Sequence, residues 1–243
     1  MLVAIVTDVH GNRPAFESVI AAAGEAGADE MWCLGDLVGY GAEPDACVDL
    51  AHRHCAVCLS GNHDLGVVGV LSLEDFSRGA RIAAEWTQEN ISADSKEFLL
   101  ALTPNAEAAG YGLFHASPRD PIWEYVLSGL TAELCFDATD FPVSFIGHSH
   151  VALSFHRPAG EPTSGSTRRE GDELDVSEGE WLLNPGGAGQ PRDGDPRAAY
   201  LLLDTERNTV RWCRAEYDIA AAQAAIRAAR LPDSLAERLA FGQ

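Results

Sequence analysis

The first sixty residues alternate short apolar segments with helical patterns, and this alternation constrains the fold more than any other feature of the chain. Leu2–Val6, Met31–Leu34 and Cys55–Leu59 have the length and apolar character of buried strands, whereas Pro14–Ala23 and Pro44–Arg53 predict helices. Strands that are joined by helices run parallel within one sheet, because the chain crosses back over the sheet between them. An α/β arrangement is therefore predicted for this half.

Six further segments in the second half have the length and composition of short strands, and turns separate most of them. They are Tyr111–His115, Val143–Ile146, Val151–Phe155, Trp181–Leu183, Ala199–Leu203 and Thr209–Arg214. Because few helices intervene, these segments predict a second sheet. The predicted fold class is α/β, with two packed mixed β-sheets flanked by helices. No repeat or linker divides the chain, so residues 1–243 are expected to form a single domain.

The remaining segments predict helices or loops around the sheets. Phe76–Asn90 and Ala93–Leu102 have helical spacing, and Ile219–Arg230 and Ser234–Phe241 predict C-terminal helices from about residue 217 onwards. Pro158–Gly179 is rich in Gly, Ser, Thr and charge, which is typical of a mobile hairpin tip or loop.

The chain carries 17 Lys and Arg residues against 37 Asp and Glu residues, a formal net charge of −20. Such a charge repels nucleic acids and anionic membranes at long range, which argues against dedicated nucleic-acid binding. The apolar start Met1–Val6 is short, and no segment has the length of a membrane span, so a cytoplasmic protein with no membrane partner is expected. An anionic substrate stays compatible with this charge, because bound cations invert the local field.

Six cysteines are present, and one pair of them has a suggestive spacing. Cys55 and Cys58 are spaced like half of a zinc or redox site, but no second Cys pair follows. We therefore interpret them as reduced thiols packed in the core.

Five groups of metal-binding residue types follow directly after predicted strands. They are Asp8-Val9-His10-Gly11-Asn12, Gly35-Asp36, Gly61-Asn62-His63-Asp64, His115-Ala116-Ser117 and Gly147-His148-Ser149-His150. In sheets of this kind, ligands collect at the carboxyl ends of the strands. A single motif of this sort is usually a polar turn. The occurrence of all five in order, each at a strand end, predicts a metal site.

The chemistry of these ligands restricts the metal. Carboxylate oxygen, amide oxygen and imidazole nitrogen together suit Mn, Fe, Zn, Co or Ni better than a site built from thiolates alone would. Seven such ligands are too many for one tetrahedral zinc ion, but they are enough for two ions that share a ligand.

The ordered series Asp-x-His, Gly-Asp, Gly-Asn-His-Asp, His and Gly-His-x-His resembles that of the calcineurin-like metallophosphoesterase superfamily, and all five occur between residues 8 and 150. Asn184-Pro185-Gly186-Gly187 and the glycine-rich residues 189–194 are similar to the compact prokaryotic phosphodiesterase branch. The resemblance implies a four-layer metallophosphoesterase sandwich. The Asp-Arg-Gly sequence of the protein phosphatase branch is absent, and Gly39-Tyr40-Gly41 stands in its place.

The resemblance also implies a role for each motif residue, with seven side chains holding two divalent metal ions. The first ion would be bound by Asp8, His10 and His150, the second by Asn62, His115 and His148, and both ions by Asp36.

In the reaction that the resemblance implies, a water molecule shared by the two ions loses a proton more easily and attacks phosphorus in line. His63 would face the substrate and donate a hydrogen bond or a proton to the leaving oxygen, while Asp64 would orient its ring. Arg119 and Arg192 are candidates for binding substrate phosphate, although either could instead pair with a neighbouring Asp. Tyr40 and Trp123 could wall the substrate pocket or pack in the core.

Three functions stay open at this point. The first is a hydrolase that acts on a small phosphodiester or phosphomonoester, the second is a nucleotide or dinucleoside polyphosphate hydrolase, and the third is a non-catalytic metal-binding scaffold. The presence of His63 favours a hydrolase over a scaffold, which has no need of that group. The sequence leaves the oligomeric state undetermined.

Overall fold

A computed structural model describes all 243 residues as twelve strands and eight α-helices. The strands are β1 (Leu2–Val6), β2 (Glu30–Cys33), β3 (Val57–Cys58), β4 (Asn105–Ala108), β5 (Tyr111–Phe114), β6 (Val143–Phe145), β7 (Leu153–Arg157), β8 (Ser164–Thr167), β9 (Glu173–Asp175), β10 (Glu180–Asn184), β11 (Ala198–Asp204) and β12 (Thr209–Ala215).

The helices lie mainly on the outer faces of the sheets. They are α1 (Arg13–Glu25), α2 (Pro44–His54), α3 (Asn62–Val67), α4 (Arg78–Asn90), α5 (Ala93–Leu100), α6 (Gly129–Phe136), α7 (Ile219–Ala228) and α8 (Asp233–Glu237), and a short 3₁₀ helix follows at Arg238–Ala240. No helix combines the length and apolar character that crossing a membrane requires.

The strands form two six-stranded mixed sheets, as predicted. Two of the segments from which we predicted the second sheet, Ala199–Leu203 and Thr209–Arg214, instead form β11 and β12 of the first sheet. The first has the order β3-β2-β1-β11-β12-β9 and the second has the order β4-β5-β6-β10-β7-β8. Strands β1, β2 and β3 run parallel, whereas β11 pairs antiparallel with β1. In the second sheet, β6 is parallel to both of its neighbours, β5 and β10. The carboxyl ends of β1, β2, β3, β5 and β6 therefore lie along one edge of the sandwich.

Strand β1 is apolar at successive positions and lacks the apolar–polar alternation of a strand with one exposed face. Val3 and Ile5 face the other sheet and pack with Trp32 and Phe145 in the core between the sheets. Ala4 and Val6 face the opposite way, toward the helices. Both faces of the strand are buried, so every position is apolar.

The C-terminal helices pack beside the edge that carries the polar motifs. Ile226 of α7 and Leu235 of α8 share one apolar cluster with Tyr40 and Phe76. A further apolar cluster joins α6 to the outer face of the second sheet.

Several local predictions require correction. Pro158–Gly179 contains two strands: β8, which extends the second sheet beside β7, and β9, which joins the first sheet beside β12. Strand β4 and helix α6 were not predicted, and the predicted helix Phe76–Asn90 begins at Arg78 with Ser77 as its N-cap.

Candidate metal centre

The predicted ligands lie in loops whose backbone is held in an uncommon conformation. Nine non-glycine residues in the chain have positive φ angles, and six of them belong to or adjoin the motifs: Asp8, His10, Asp36, Tyr40, His148 and His150. Left-handed backbone at such residues costs on the order of 1–3 kcal/mol each and persists only where the surroundings impose it. Strain concentrated in this way is typical of functional sites.

The first group of ligands comprises Asp8, His10 and His150, whose ligand atoms all lie within 4.8 Å of one another. Asp8 Oδ1 is 3.4 Å from His150 Nε2 and 3.9 Å from His10 Nε2. The two Nε2 atoms are 3.1 Å apart. All three side chains are fully or almost fully buried.

The second group comprises Asp36, His115 and His148, and Asp36 also belongs to a group with His10. Asp36 Oδ2 lies 3.6 Å from His115 Nε2 and 3.5 Å from His10 Nε2. Asn62 Oδ1 is 3.3 Å from His115 Nε2. One carboxylate oxygen therefore lies between two ligand groups, which is the geometry that a bridging residue needs.

Hydrogen bonds to the backbone fix the histidine tautomers. Nδ1 of His10 donates to the Val38 carbonyl at 3.0 Å, and Nδ1 of His115 donates to the Leu34 carbonyl at 2.9 Å. Nδ1 of His150 contacts a third carbonyl in the same way, at 2.6 Å. A carbonyl only accepts, so each Nδ1 carries the hydrogen and each Nε2 presents a lone pair to the centre.

The two carboxylates are anchored in an equivalent way. Asp8 Oδ2 accepts from the backbone N–H of His148 at 3.0 Å, and Asp36 Oδ1 accepts from the backbone N–H of His63 at 2.9 Å. The tight loop around Asp36 requires Gly61, because a Cβ atom there would overlap the Asp36 carboxylate. In both aspartates, one oxygen is held by the backbone and the other faces the cluster.

The atoms that face the cluster fit divalent cations. Asp8 Oδ1, Asp36 Oδ2 and His148 Nε2 are buried without a hydrogen-bond partner. Unpaired buried acceptors are costly, and lone pairs facing each other repel unless a cation lies between them. Burial raises the pKa of Asp8 to about 7, raises the pKa of Asp36 well above its usual range, and lowers the pKa of His10 well below its own.

His63 lies beside the cluster without a backbone anchor for its ring. One ring nitrogen is within 4.8 Å of the ligand atoms of His10 and Asp36, while Nδ1 is buried without a partner. The ring packs edge-on against Phe76, at 5.0 Å between centroids, and lies 4.5 Å from the Tyr40 ring. Burial, with Arg192 and His115 nearby, lowers the pKa of His63 to about 3, so the ring is neutral at neutral pH.

Asp64 does not have the orientation that we predicted. Its Oδ1 accepts from the Val38 backbone N–H at 3.1 Å and its Oδ2 accepts from the Gly61 N–H at 2.9 Å. No hydrogen bond joins it to the His63 ring. The Asp64 carboxylate is fully buried and connects two ligand loops through its hydrogen bonds. It therefore positions the backbone of these loops rather than the imidazole of His63.

A cavity of about 270 Å³ opens over the ligands, and both Tyr40 and Arg192 line it. The Arg192 guanidinium lies 5.7 Å from the centroid of the Tyr40 ring and donates to Gln190 Oε1 at 3.0 Å. It makes no ion pair with Asp193, which pairs with Arg214 instead.

Arg119 is not part of this cavity. Its guanidinium pairs with Glu124 at 3.2 Å, and its side chain is 40% exposed. The alternative of a neighbouring acidic partner therefore describes Arg119 better than phosphate binding does, although the partner is a Glu rather than an Asp.

Sequence reasoning missed several residues that line the cavity. They are Asp75, Phe76, Ser77, Ala80 and Tyr125. Phe76 fitted the apolar pattern of a helix, and Tyr125 belongs to no motif. The only available signal was the presence of aromatic residues in the segments that adjoin the third and fourth motifs.

Comparison with known proteins agrees with this geometry. The family model of the calcineurin-like phosphoesterase superfamily domain matches residues 1–208. The chain belongs to this superfamily. The C-terminal helices α7 and α8 lie outside the matched region.

Individual relatives match the chain over its whole length. The uncharacterized protein MJ0912 of Methanocaldococcus jannaschii is 34% identical over 247 residues, which cover 100% of this chain and 98% of that protein. A metallophosphoesterase crystal structure from Sphaerobacter thermophilus has a TM-score of 0.91 at 41% identity, with 100% and 99% of the chains covered. The hypothetical protein PH1004 from Pyrococcus horikoshii OT3 shares the fold, with a TM-score of 0.78, 18% identity and 100% and 98% coverage.

Proposed function

We propose that the protein is a phosphodiesterase that binds two divalent metal ions, drawn from Mn, Fe, Zn, Ni and Co, and hydrolyses a small phosphorylated substrate. The observation that carries the proposal is the position of Asp36 Oδ2, which lies 3.5 Å from His10 Nε2 and 3.6 Å from His115 Nε2 at the floor of the cavity. Asp8, His10 and His150 would hold one ion, and Asn62, His115 and His148 the other.

When bound, two divalent cations supply a nucleophile at neutral pH and offset negative charge on phosphoryl oxygens. Residues of the chain would bind the phosphate and hold the ligands in place. Arg192 lines the cavity and is the only cationic side chain there, so it is the group that pairs with a phosphate oxygen. The Asp8 and Asp36 carboxylates and the imidazoles of three histidines, His10, His115 and His150, keep one geometry because each is anchored to the backbone.

His63 is assigned to the leaving group. With a pKa near 3 its ring is neutral, and additional cations would lower that pKa further. A neutral imidazole donates a hydrogen bond to the departing oxygen but has no spare proton to transfer. Of the two roles considered for His63, the structure therefore favours hydrogen bonding.

The charge of the cavity favours a diester over a polyphosphate. Its lining contains one cation, Arg192, and one exposed carboxylate, Asp75, besides the ligand residues. A phosphodiester carries a single negative charge, whereas the additional phosphates of a dinucleoside polyphosphate would find no further cation and would approach Asp75.

Metal analysis combined with a substrate panel tests the proposal. Protein loaded with Mn, Co, Ni or Zn should hold about two ions per chain and hydrolyse bis-p-nitrophenyl phosphate faster than p-nitrophenyl phosphate or diadenosine tetraphosphate. Faster cleavage of the tetraphosphate would favour the polyphosphate hydrolase. Bound metal without turnover of any of them would contradict the proposal and favour the non-catalytic scaffold.

A further inference from the structure

Aromatic side chains form part of the wall of the cavity. Phe76 and Trp123 pack edge to face with centroids 5.4 Å apart, and Phe76 packs in turn on His63 at 5.0 Å. Tyr125 stacks on the ring of His148 at 4.1 Å with an interplanar angle of 22°. We refer to Phe76, Trp123 and Tyr125 as the aromatic wall.

The aromatic wall is built from two loops that are distant in sequence. Phe76 precedes α4, and its ring sits against Gly66 of α3, where a Cβ atom would come within 2.9–3.0 Å of neighbouring side chains, including the Phe76 ring. Trp123 and Tyr125 belong to the segment between β5 and α6. The loops meet only through tertiary packing, at the opening of the cavity.

Exposure differs along the wall in a way that points to a ligand. Phe76 is 9% exposed, whereas Tyr125 is 49% exposed although one of its faces is covered by His148. The other face of Tyr125 has no aromatic partner in the protein. A large aromatic surface left open beside a catalytic cavity gains free energy when a flat apolar group covers it.

We propose that one ester group of the substrate is a planar aromatic group that binds against Trp123 and Tyr125, with Phe76 supporting Trp123 from behind. This rests on the proposed phosphodiesterase function and names the substrate class of that site: phosphodiesters with a nucleoside or another aryl group beside the scissile phosphate. The planar group is the one retained on phosphate, and the second ester group leaves near His63.

The size of the cavity agrees with this substrate class. Its volume of about 270 Å³ is close to the lower end, about 300 Å³, of the range for small-molecule sites. It accommodates a phosphate with one ring system and is too small for a polymer. Stacking on an aromatic side chain is tolerant of ring identity, because every ring system presents a π-face. The wall therefore selects planarity rather than one particular base.

The experiment compares three p-nitrophenyl phosphodiesters that share a leaving group and differ only in the retained ester. The retained group is thymidine in the first, phenyl in the second and methyl in the third. We expect kcat/KM to be at least tenfold higher for the thymidine and phenyl esters than for the methyl ester. The ratio of thymidine to phenyl ester distinguishes a nucleoside from a simple aryl group as the preferred ligand.

Variants of the wall test whether Trp123 and Tyr125 cause this preference. Trp123→Ala and Tyr125→Ala should each lower the planar-to-methyl ratio about tenfold, within the range found when a stacking aromatic is removed. Leu127→Ala is the matched control: Leu127 is 59% exposed, two residues beyond Tyr125, and does not line this cavity. It should leave all three rates unchanged. Metal content is measured for each variant, because Tyr125 contacts His148.

Tyr125→Ala keeps the test decisive if Trp123→Ala fails to fold, since Tyr125 is half exposed. Equal kcat/KM for planar and methyl esters in the unmodified protein would overturn the inference while leaving the phosphodiesterase proposal intact. So would a planar preference that survives Tyr125→Ala in protein with its full metal content. Absence of turnover of all three esters by metal-loaded protein would instead contradict the phosphodiesterase proposal itself.

Discussion

The loops that carry the metal-type ligands and the loops that form the aromatic wall adjoin the same cavity but are built differently. In the ligand loops the side chains are buried, the backbone is left-handed at Asp8, His10 and Asp36, and both aspartates and three of the histidines hydrogen-bond to backbone groups. In the wall loops, Trp123 and Tyr125 are partly exposed, and their rings pack on Phe76 and His148.

Under the function and substrate class proposed above, this difference gives reaction chemistry and substrate choice separate structural requirements. Anchored ligands tolerate little displacement, because metal geometry depends on fractions of an ångström. Ring contacts on loops tolerate change and alter the shape of the cavity without moving the ligands. Substitutions in the two regions should therefore have different consequences, and four experiments test that expectation in order of decreasing effect.

The largest effect is expected at Asp36, the residue shared by the two ligand groups. Asp36→Ala should abolish activity and lower the metal content for both ions, because one oxygen serves both groups. Metal per chain and hydrolysis of bis-p-nitrophenyl phosphate are the measurements. Asp49→Ala, at an exposed position in α2, is the control and should retain both properties. If Asp36→Ala bound two ions at full occupancy, the ligand loops would be no more sensitive to substitution than the wall loops.

The second effect concerns His63, which lies at the boundary between the two regions. His63→Ala should retain both metals but lose turnover by about 10²-fold or more on diesters with alkyl leaving groups, within the range for removing one hydrogen-bond donor from a developing oxyanion. The loss should be smaller for p-nitrophenyl esters, whose leaving group needs little assistance. His63→Asn should recover part of the rate, because an amide also donates a hydrogen bond. Near-normal rates of His63→Ala on alkyl esters would refute its role.

Substitution of two glycines distinguishes the effect of backbone strain from the effect of displacing the His63 ring. Gly39 and Gly69 have similar φ angles of +88° and +79°, but a Cβ atom at Gly39 would overlap the His63 ring, whereas Gly69 has open space around it. Alanine at either position should lower the free energy of unfolding by about 1–2 kcal/mol. Only Gly39→Ala, in a ligand loop, should also lose activity, by about tenfold. Equal activity of both variants would show that the ligand loop adapts as readily as the wall.

The smallest effect is a change in proton release on metal binding. Burial raises the pKa of Asp8 to about 7 and raises the pKa of Asp36 well above its usual range, so the metal-free protein holds a proton on Asp8 at pH 6, while the lowered pKa of His10 leaves that ring neutral. Metal binding at pH 6 should therefore release the Asp8 proton, and this contribution should be lost at pH 8.5, where Asp8 is already ionised. Calorimetry in buffers of different ionisation enthalpy measures this release, and Tyr125→Ala, a wall variant, should leave it unchanged. A release that does not decrease at pH 8.5 would contradict the raised pKa of Asp8.

The candidate metal ligands were predictable because each lies next to a strong local signal. Asp8 follows an apolar strand by two residues, and Asp36 follows the next strand of the parallel sheet at the same edge. Parallel strands bring their carboxyl ends together whatever the rest of the fold does, so strand prediction and ligand chemistry were sufficient. The two-sheet architecture was predicted from the change to short strands with few helices in the second half, and it was confirmed.

Other features depended on contacts that leave no local signature. Asp64 is adjacent to His63 in sequence, yet its oxygens bind the backbone of Val38, 26 residues away, and of Gly61. The strand β9 is exposed and short, and it exists because β12 offers an edge to pair with.

The sequence by itself determined that the first strands run parallel, which residue types lie at their carboxyl edge and hence the class of chemistry, because these follow from apolar periodicity and from ligands placed at strand ends. The tertiary structure alone decided which aromatic residues face the cavity and which arginine enters it. From the sequence alone, an aromatic or arginine residue is as compatible with a packing role as with a binding role. Phe76 and Trp123, from loops about fifty residues apart in sequence, meet only in the folded chain, and Arg192 lacks a carboxylate partner because Asp193 pairs with Arg214.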